Sequence, residues 1–459
     1  MRKKHHRFLG GIIIAITVID SIMGSGKTQA MYQAIRNHPE KSYMIVTPYL
    51  KTIQDAKNAG LDIHEPEHKG QTKLGSLKYL LSHGYDIGCT HSLFLDVDND
   101  VWNLIRDGGY TLFIDEALDV VKPINDLIDD VGYQVKKGTA KFLLNAGIIK
   151  VDDYCRVTWC GTGADEDYEY RYLEPLIKSG NVLCVNGQLF LWMFPPQIFS
   201  AFEDVYILSY LFEGSVFDAY LKIHDLKYEL GGVCGQYGSK EGFVFTGFKD
   251  DAEQRKNLKN IIHIYEGTAN RIGEKRCNLS STWYDNATAT DIKAVRNGFN
   301  TFLKRVKPSG DANGKRVMWT AYKRERDILR INGAGYIRKL SAEERKAMDA
   351  DPNYKDQELN KLRCFVSCNA KATNDYADRQ ILAYLINRFY NPLIKGMFWD
   401  KYRIRLNENR FALSEMIQWI WRSSIRRHDL PYEQQRIELY IPSRRMRTLM
   451  EKWLDGQAI

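Results

Sequence analysis

The chain has 459 residues, 44% of them apolar and 27% charged, with a formal net charge of +8. That length exceeds a single typical core and sets two or three domains, while the apolar content excludes a disordered or low-complexity chain. The eight cysteines lack paired CxxC spacing, which excludes a zinc scaffold or disulfide framework; the basic excess, part of it in arginines from Arg403 to Arg447, favours a polyanionic partner. Met1 to Arg7 followed by an Ile-rich run has the outward form of a secretory signal, but its apolar core is short and runs straight into a glycine turn. No span approaches the roughly 18 apolar residues of a membrane helix. The expectation is a cytoplasmic protein with no membrane partner.

Gly11 to Thr28 reads GIIIAITVIDSIMGSGKT. Ile12, Ile13, Ile14, Ile16, Val18 and Ile19 form a β-branched run of the kind that fills a parallel strand covered on both faces. Met31, Ala34 and Ile35 then recur at helical spacing. Between strand and helix, Gly24 and Gly26 leave the backbone free of Cβ atoms, so that the N–H groups of Gly24, Ser25, Gly26, Lys27 and Thr28 can turn inward around a phosphate. Lys27 is placed to reach the β- and γ-phosphates of ATP, and Thr28 to give its hydroxyl to Mg²⁺. The pattern G-x-x-x-x-G-K-[ST] asks for glycine where this chain has Ser21.

Further along, Tyr43 to Val46 reads as a strand closing on Thr47-Pro48-Tyr49, a hydroxyl and a proline at a strand exit suited to the phosphates of a polynucleotide. Ser76 to Leu81 reads as a helix and Tyr85 to Cys89 as a strand, followed by Thr90 and His91. The strand Tyr110 to Ile114 ends in Asp115-Glu116. The first carboxylate can hold Mg²⁺ and the second can orient or deprotonate the attacking water. Asp152 to Thr158 reads as a strand, and Val182 to Met193 as a strand pair turning at Asn186-Gly187. Val205 to Phe212 reads as the last strand of the first domain. Tyr228 to Cys234 and Ile261 to Tyr265 are further strand candidates.

Strands alternating with helices around a phosphate loop and an acidic pair give an α/β fold with parallel central sheets and the ligand at their carboxyl edge. MGSGKT, Thr47-Pro48, Thr90-His91 and Asp115-Glu116-Ala117 stand in the order of the motifs of superfamily 2 helicases, and the chain resembles that family. More narrowly it resembles the helicases of tailed phages related to the herpesvirus origin-binding helicase. Val317 to Lys323 resembles the strand and hydroxyl-bearing exit that open the family's second domain. Phe365 to Arg379 resembles its strand and Thr-Asn segment, here Thr373 and Asn374. Met416 to Arg427 resembles its closing Q-x-x-x-R element.

The resemblance implies two tandem RecA-like domains, residues 1–215 and 216–459, with ATP and Mg²⁺ between them. It implies DNA held at Thr47, Pro48, Thr90, His91, Thr373 and Asn374, with replication proteins as further partners in a phage-infected host cytoplasm. Met416 to Arg427 reads physically as one helix that puts Gln418, Arg422 and Arg426 on a shared face. A guanidinium from it, Arg422 or Arg426, can stabilise the transferring γ-phosphoryl group. Trp283, Tyr284, Trp319 and Tyr322 can stack bases or fill the core. Two other readings share the nucleotide elements: the ATPase of a DNA-packaging terminase, which requires an acidic nuclease cluster near the C-terminus, and a non-hydrolysing, nucleotide-switched DNA-binding or loader protein.

Overall fold

The computed structural model describes residues 15–68, 72–128, 134–161, 170–236, 242–306, 314–331, 334, 342–350, 362–368, 375–427 and 431–459. These fall into two compact units. One takes the described residues of Met1–Ser21, Ser25–Lys249 and Tyr390–Asn407, and the other those of Ile22–Gly24, Asp250–Phe389 and Glu408–Ile459.

The first unit is built on β1 (Ala15–Asp20), β2 (Ser42–Thr47), β3 (Ile87–Thr90) and β4 (Tyr110–Asp115), each an apolar run with almost every side chain buried. Strands buried on both faces cannot alternate polar and apolar residues, which is why they read as unbroken runs. Between β4 and the main sheet's next strand come β5 (Val121–Pro123), β6 (Ile149–Val151), β7 (Val157–Trp159), β8 (Val182–Val185) and β9 (Leu189–Met193). They form two small antiparallel sheets, β5-β9-β8 and β6-β7, over a separate core that includes Leu143, Ile149, Val182 and Phe190. Asn186 and Gly187 turn β8 into β9 with φ of 53° and 64°, the two positive values a type I′ hairpin needs. The expected strand at Asp152 to Thr158 is instead largely a turn. The Asp152 carboxylate accepts the N–H groups of Tyr154 at 2.9 Å and Arg156 at 2.8 Å and bends the chain between β6 and β7.

The main sheet resumes with β10 (Asp204–Ser209), β11 (Tyr228–Gly235) and β12 (Phe243–Gly247), and its order is β12-β11-β1-β10-β4-β2-β3. All neighbours are parallel except β12, which runs back along β11. The boundary expected at residue 215 therefore falls inside this unit. β11 pairs with β1 from Ile16↔Tyr228 to Ile19↔Gly231, so residues beyond 215 complete the sheet edge and β10 is an interior strand. Ile19, Met31, Tyr32, Ile35, Ile45, Phe113 and Leu208 share one core between this sheet and helix α1 (Lys27–Asn37). The helix Pro392–Tyr402 also belongs here: the Tyr402 hydroxyl donates to the Tyr154 carbonyl at 3.3 Å, and the Asn407 N–H to the Gly214 carbonyl at 2.8 Å.

The second unit has a four-stranded parallel sheet of β13 (Ile262–Ile264), β14 (Val317–Thr320), β15 (Ile381–Tyr384) and β16 (Ile437–Tyr440), in the order β13-β16-β15-β14. Residues 364–366 run beside β14, with the Trp319 N–H donating to the Cys364 carbonyl at 2.8 Å and the Val366 N–H to that of Trp319 at 2.9 Å. Of the four aromatic candidates for base stacking, Trp319 and Tyr284 are core: Trp319 packs edge-on to Phe365, and the Tyr284 hydroxyl donates to the Leu385 carbonyl at 2.7 Å. The chain is thus an α/β protein with two tandem units on parallel central sheets, as expected. Among the described residues no helix is long and apolar enough to cross a membrane.

Candidate functional site

The carboxyl edge of the first sheet gathers the sequence-predicted nucleotide residues. β1 leaves the sheet at Asp20, and the chain turns through Gly24 (φ 76°) and Gly26 (φ 90°) into α1. Both are left-handed conformations that cost a side-chain-bearing residue about 1–2 kcal/mol. At Gly26 a second constraint acts, because a Cβ built there would lie 2.2 Å from the Phe243 ring of β12. Among the described residues no side chain caps α1, and such a helix start attracts an anion. The Ser25 Oγ is buried without a hydrogen-bond partner among the described residues, a state that costs stability until an acceptor or donor meets it. Lys27 spans the loop, its ammonium donating to the Ser21 carbonyl.

In the sheet order, one strand, β10, separates the exit of β1 from that of β4, which sets the two strand ends about 10 Å apart. Asp115 closes β4. Burial and the neighbouring Glu116 push its carboxyl up to about 7, against the opposing pull of Lys27. Glu116 itself takes a left-handed φ of 64° and donates its N–H to the Leu208 carbonyl at 3.0 Å. A non-glycine residue held in that region is strained, and such strain is characteristic of functional turns. An uncapped helix start, an orphaned hydroxyl, an ammonium and a carboxyl held back from ionisation fit a magnesium-bound polyphosphate: the anion satisfies the donors, and a cation relieves the acidic pair.

Sequence reasoning missed how firmly these two exits are tied to β10. The Ser21 N–H donates to the Ser209 carbonyl at 3.2 Å, and the buried Asp20 carboxylate accepts the N–H groups of Leu211 at 2.7 Å and Phe212 at 3.2 Å. The only signal for this in the sequence is an aspartate ending an otherwise apolar strand.

The residues expected to touch nucleic acid fare differently. Thr47 is 0% exposed, so its hydroxyl cannot meet a strand, and of the Thr47-Pro48 pair Pro48 alone is partly exposed. Thr90 is half-buried, and its Oγ1 accepts the Leu93 N–H at 3.3 Å to cap the short helix His91–Leu95. His91 is 8% exposed, and its Nε2 lies 3.0 Å from the Asp115 carbonyl. A carbonyl only accepts, so Nε2 carries the proton. His91 thus supports the acidic turn instead of presenting a ligand. Thr373 and Asn374 lie outside the described residues.

In the second unit the expected single helix bearing Gln418, Arg422 and Arg426 is not formed. The helix Glu408–Ile420 ends before Arg422 as its hydrogen bonds tighten: the Arg422 N–H donates to Trp419 and that of Ser423 to Ile420, and Ser424 then turns to the Arg379 carbonyl at 3.0 Å. Burial of Trp421, Ser424 and Ile425 draws the chain round toward β16. Gln418 remains on the helix, with its Nε2 3.5 Å from the Ser414 Oγ; Arg422 is 4% exposed, and Arg426 lies half-buried in the short turn Ser424–Arg426.

Known proteins place this chain. It is 34% identical over 452 residues to the "SPbeta prophage-derived uncharacterized protein YonV" of Bacillus subtilis (strain 168), a match covering 96% of this chain and 99% of the relative. The chain belongs to the YonV family. Residues 256–454 match the family described as "YonV C-terminal Rossmann-like domain", which falls on the second unit's parallel sheet. Among solved structures, the YonV-family chain aligns with "XPD_APO" (12% identity, 97% of this chain and 96% of that one, TM-score 0.48) and with "Structure of S. tokodaii Xpd4" (13%, 97% and 94%, 0.44).

Proposed function

We propose that this YonV-family protein is an ATP-dependent nucleic-acid translocase or helicase of the superfamily 2 type, with two RecA-like units, acting on DNA in phage replication. The observation that carries the nucleotide part is the meeting of Lys27, the orphaned Ser25 hydroxyl and the raised Asp115 carboxyl at one sheet edge. The prophage origin of the relative supports the phage context. The resemblance to tailed-phage helicases related to the herpesvirus origin-binding helicase is carried most specifically by MGSGKT and Asp115-Glu116-Ala117.

Bound Mg²⁺–ATP supplies the phosphoryl group and the charge that shields it. Gly24, Ser25, Gly26 and the first N–H groups of α1 hold the phosphates, and Lys27 neutralises them. Thr28 and Asp115 would hold the metal, whose charge would favour the ionised Asp115 carboxylate. Glu116 orients the attacking water and takes its proton. An arginine of the second unit, Arg422 or Arg426, stabilises the charge on the transferring group.

The test is ATP turnover with and without single-stranded DNA or RNA. Turnover stimulated by DNA supports the motor; stimulation by RNA alone reassigns the strand, and tight ATP binding with no hydrolysis identifies a switch. Lys27→Ala should lower turnover at least about 100-fold. Glu116→Gln should keep ATP affinity while losing hydrolysis, and parent-rate hydrolysis in that variant removes Glu116 from the water-activating role. Arg422→Ala or Arg426→Ala should cost stimulated turnover but not ATP affinity, which decides between them.

A further inference from the structure

A second charged surface of the first unit takes no part in the phosphate edge. The helix Pro392–Tyr402 ends on Arg403, which holds a left-handed backbone (φ 58°, ψ 26°) where glycine is the unstrained choice. The turn is closed by the Arg403 N–H donating to the Trp399 carbonyl and the Ile404 N–H to that of Phe398, each at 3.0 Å. It folds both flanking arginines back over the Trp399 ring, which is 39% exposed. The Arg403 and Arg405 guanidinium carbons lie 5.7 and 4.6 Å from the ring centroid.

Beside them, on the turn between β6 and β7, Arg156 lies 5.8 Å over the Tyr154 ring, and that ring is 6.0 Å from Tyr402. Guanidiniums and aromatic rings therefore interleave across two segments far apart in sequence. Arg156, Lys401, Arg403 and Arg405 are all exposed.

Arg255, Arg324, Arg388 and Arg436 each sit against a carboxylate, whereas Arg156, Arg403 and Arg405 have no carboxylate partner among the described residues. The nearby Asp152 carboxylate is engaged by two backbone N–H groups. An exposed guanidinium–ring pair is worth only about 0.5–1 kcal/mol, and here one arginine also bears backbone strain. An exposed guanidinium over a ring keeps N–H donors for a phosphate, and an exposed ring can stack on a base.

We propose that Arg156, Arg403 and Arg405, supported by Trp399 and Tyr154, form a binding surface for the sugar-phosphate backbone of a single-stranded nucleic acid. The choice of nucleic acid over other polyanions rests on the proposed motor function; the surface itself is separate from the nucleotide edge. No arginine of this face belongs to the proposed ATP machinery, so binding and turnover can be read independently.

The experiment measures the affinity of the full chain for a fluorescein-labelled oligo-dT of about 20 nucleotides across a salt series. Arg403→Ala with Arg405→Ala should reduce the slope of log K against log[salt] by about 1.4, or 0.7 per lost phosphate contact on a single strand. Replacing both with lysine should restore the slope. Trp399→Ala should keep the slope and weaken binding about two- to fivefold. ATP turnover without nucleic acid should match the parent in every variant. If the double alanine variant keeps the parent's slope and affinity, this face is not the site and the motor reading stands. Tighter binding of the parent to phosphatidylglycerol vesicles than to the oligonucleotide assigns the face to a lipid surface and overturns the proposal. A parent that binds neither overturns the proposal and the nucleic-acid part of the motor reading together.

Discussion

The phosphate edge and the Trp399 face belong to one compact unit yet hold charge in opposite ways. At the phosphate edge Lys27, Asp115 and Glu116 are crowded together, and the strand exits that carry them are bound to β10 by backbone hydrogen bonds. On the Trp399 face, guanidiniums stand exposed on rings with no carboxylate paired to them among the described residues. The first arrangement suits a small, dense ligand whose charges must meet fixed groups. The second suits an extended polyanion bound through many screened contacts. Damage at the edge should therefore appear in folding and turnover, and damage on the face in salt dependence.

The sharpest way to break the contrast is at Gly26. Gly26→Ala meets both a left-handed backbone and the Phe243 ring. It should lower stability by about 2–4 kcal/mol and abolish nucleotide binding, read by thermal melting with and without ATP. A melting temperature unchanged from the parent's shows that this edge is no tighter than the outer face.

Next in size is Asp115. A carboxyl whose pKa is raised on folding holds its proton more tightly in the folded chain. The stability it contributes is present below its unfolded value, near 4, and is lost as pH rises through about 7. Asp115→Asn without ligand should therefore melt above the parent at pH 8, by roughly 2–4 °C, and the gap should close toward pH 4. Parallel melting curves for the two proteins across that range remove the crowding argument.

The smallest effect is expected at His91. His91→Ala removes the donor to the Asp115 carbonyl and should cost about 1 kcal/mol, with kcat falling more than ATP affinity. His91→Gln, which keeps an N–H donor, should recover part of the loss. None of these changes should alter the salt slope for nucleic acid.

Local signals made the phosphate edge legible. MGSGKT follows an apolar strand and opens a helix, and Asp115-Glu116 ends another; each is decided within a few residues. The domain boundary was not legible, because β11 joins β1 across some two hundred residues of sequence and nothing near residue 215 records that pairing. ILAY at β15 and IELY at β16 went unread because runs this short do not distinguish strand from buried helix. The break after Ile420 was hidden for a related reason. Trp421 and Ile425 continue an apolar spacing compatible with a helix, while burial of Ser424 and the bond to Arg379 end it. Thr47, Thr90 and His91 sit at strand exits as expected, but position along a strand does not reveal whether a side chain turns inward.

The stretch from Tyr390 to Asn407 has a practical corollary for anyone dissecting this protein. It is encoded beyond most of the second unit yet packs with the first, with Tyr402 on Tyr154 and Asn407 on Gly214. A fragment cut at Lys249 would lack that late-arriving helix and bare the surface it covers, and a fragment starting at Asp250 would carry the helix without its seat. Gene segments divided at the midpoint should therefore yield poorly behaved halves, whereas supplying 390–407 as a separate peptide to the first half should improve its solubility.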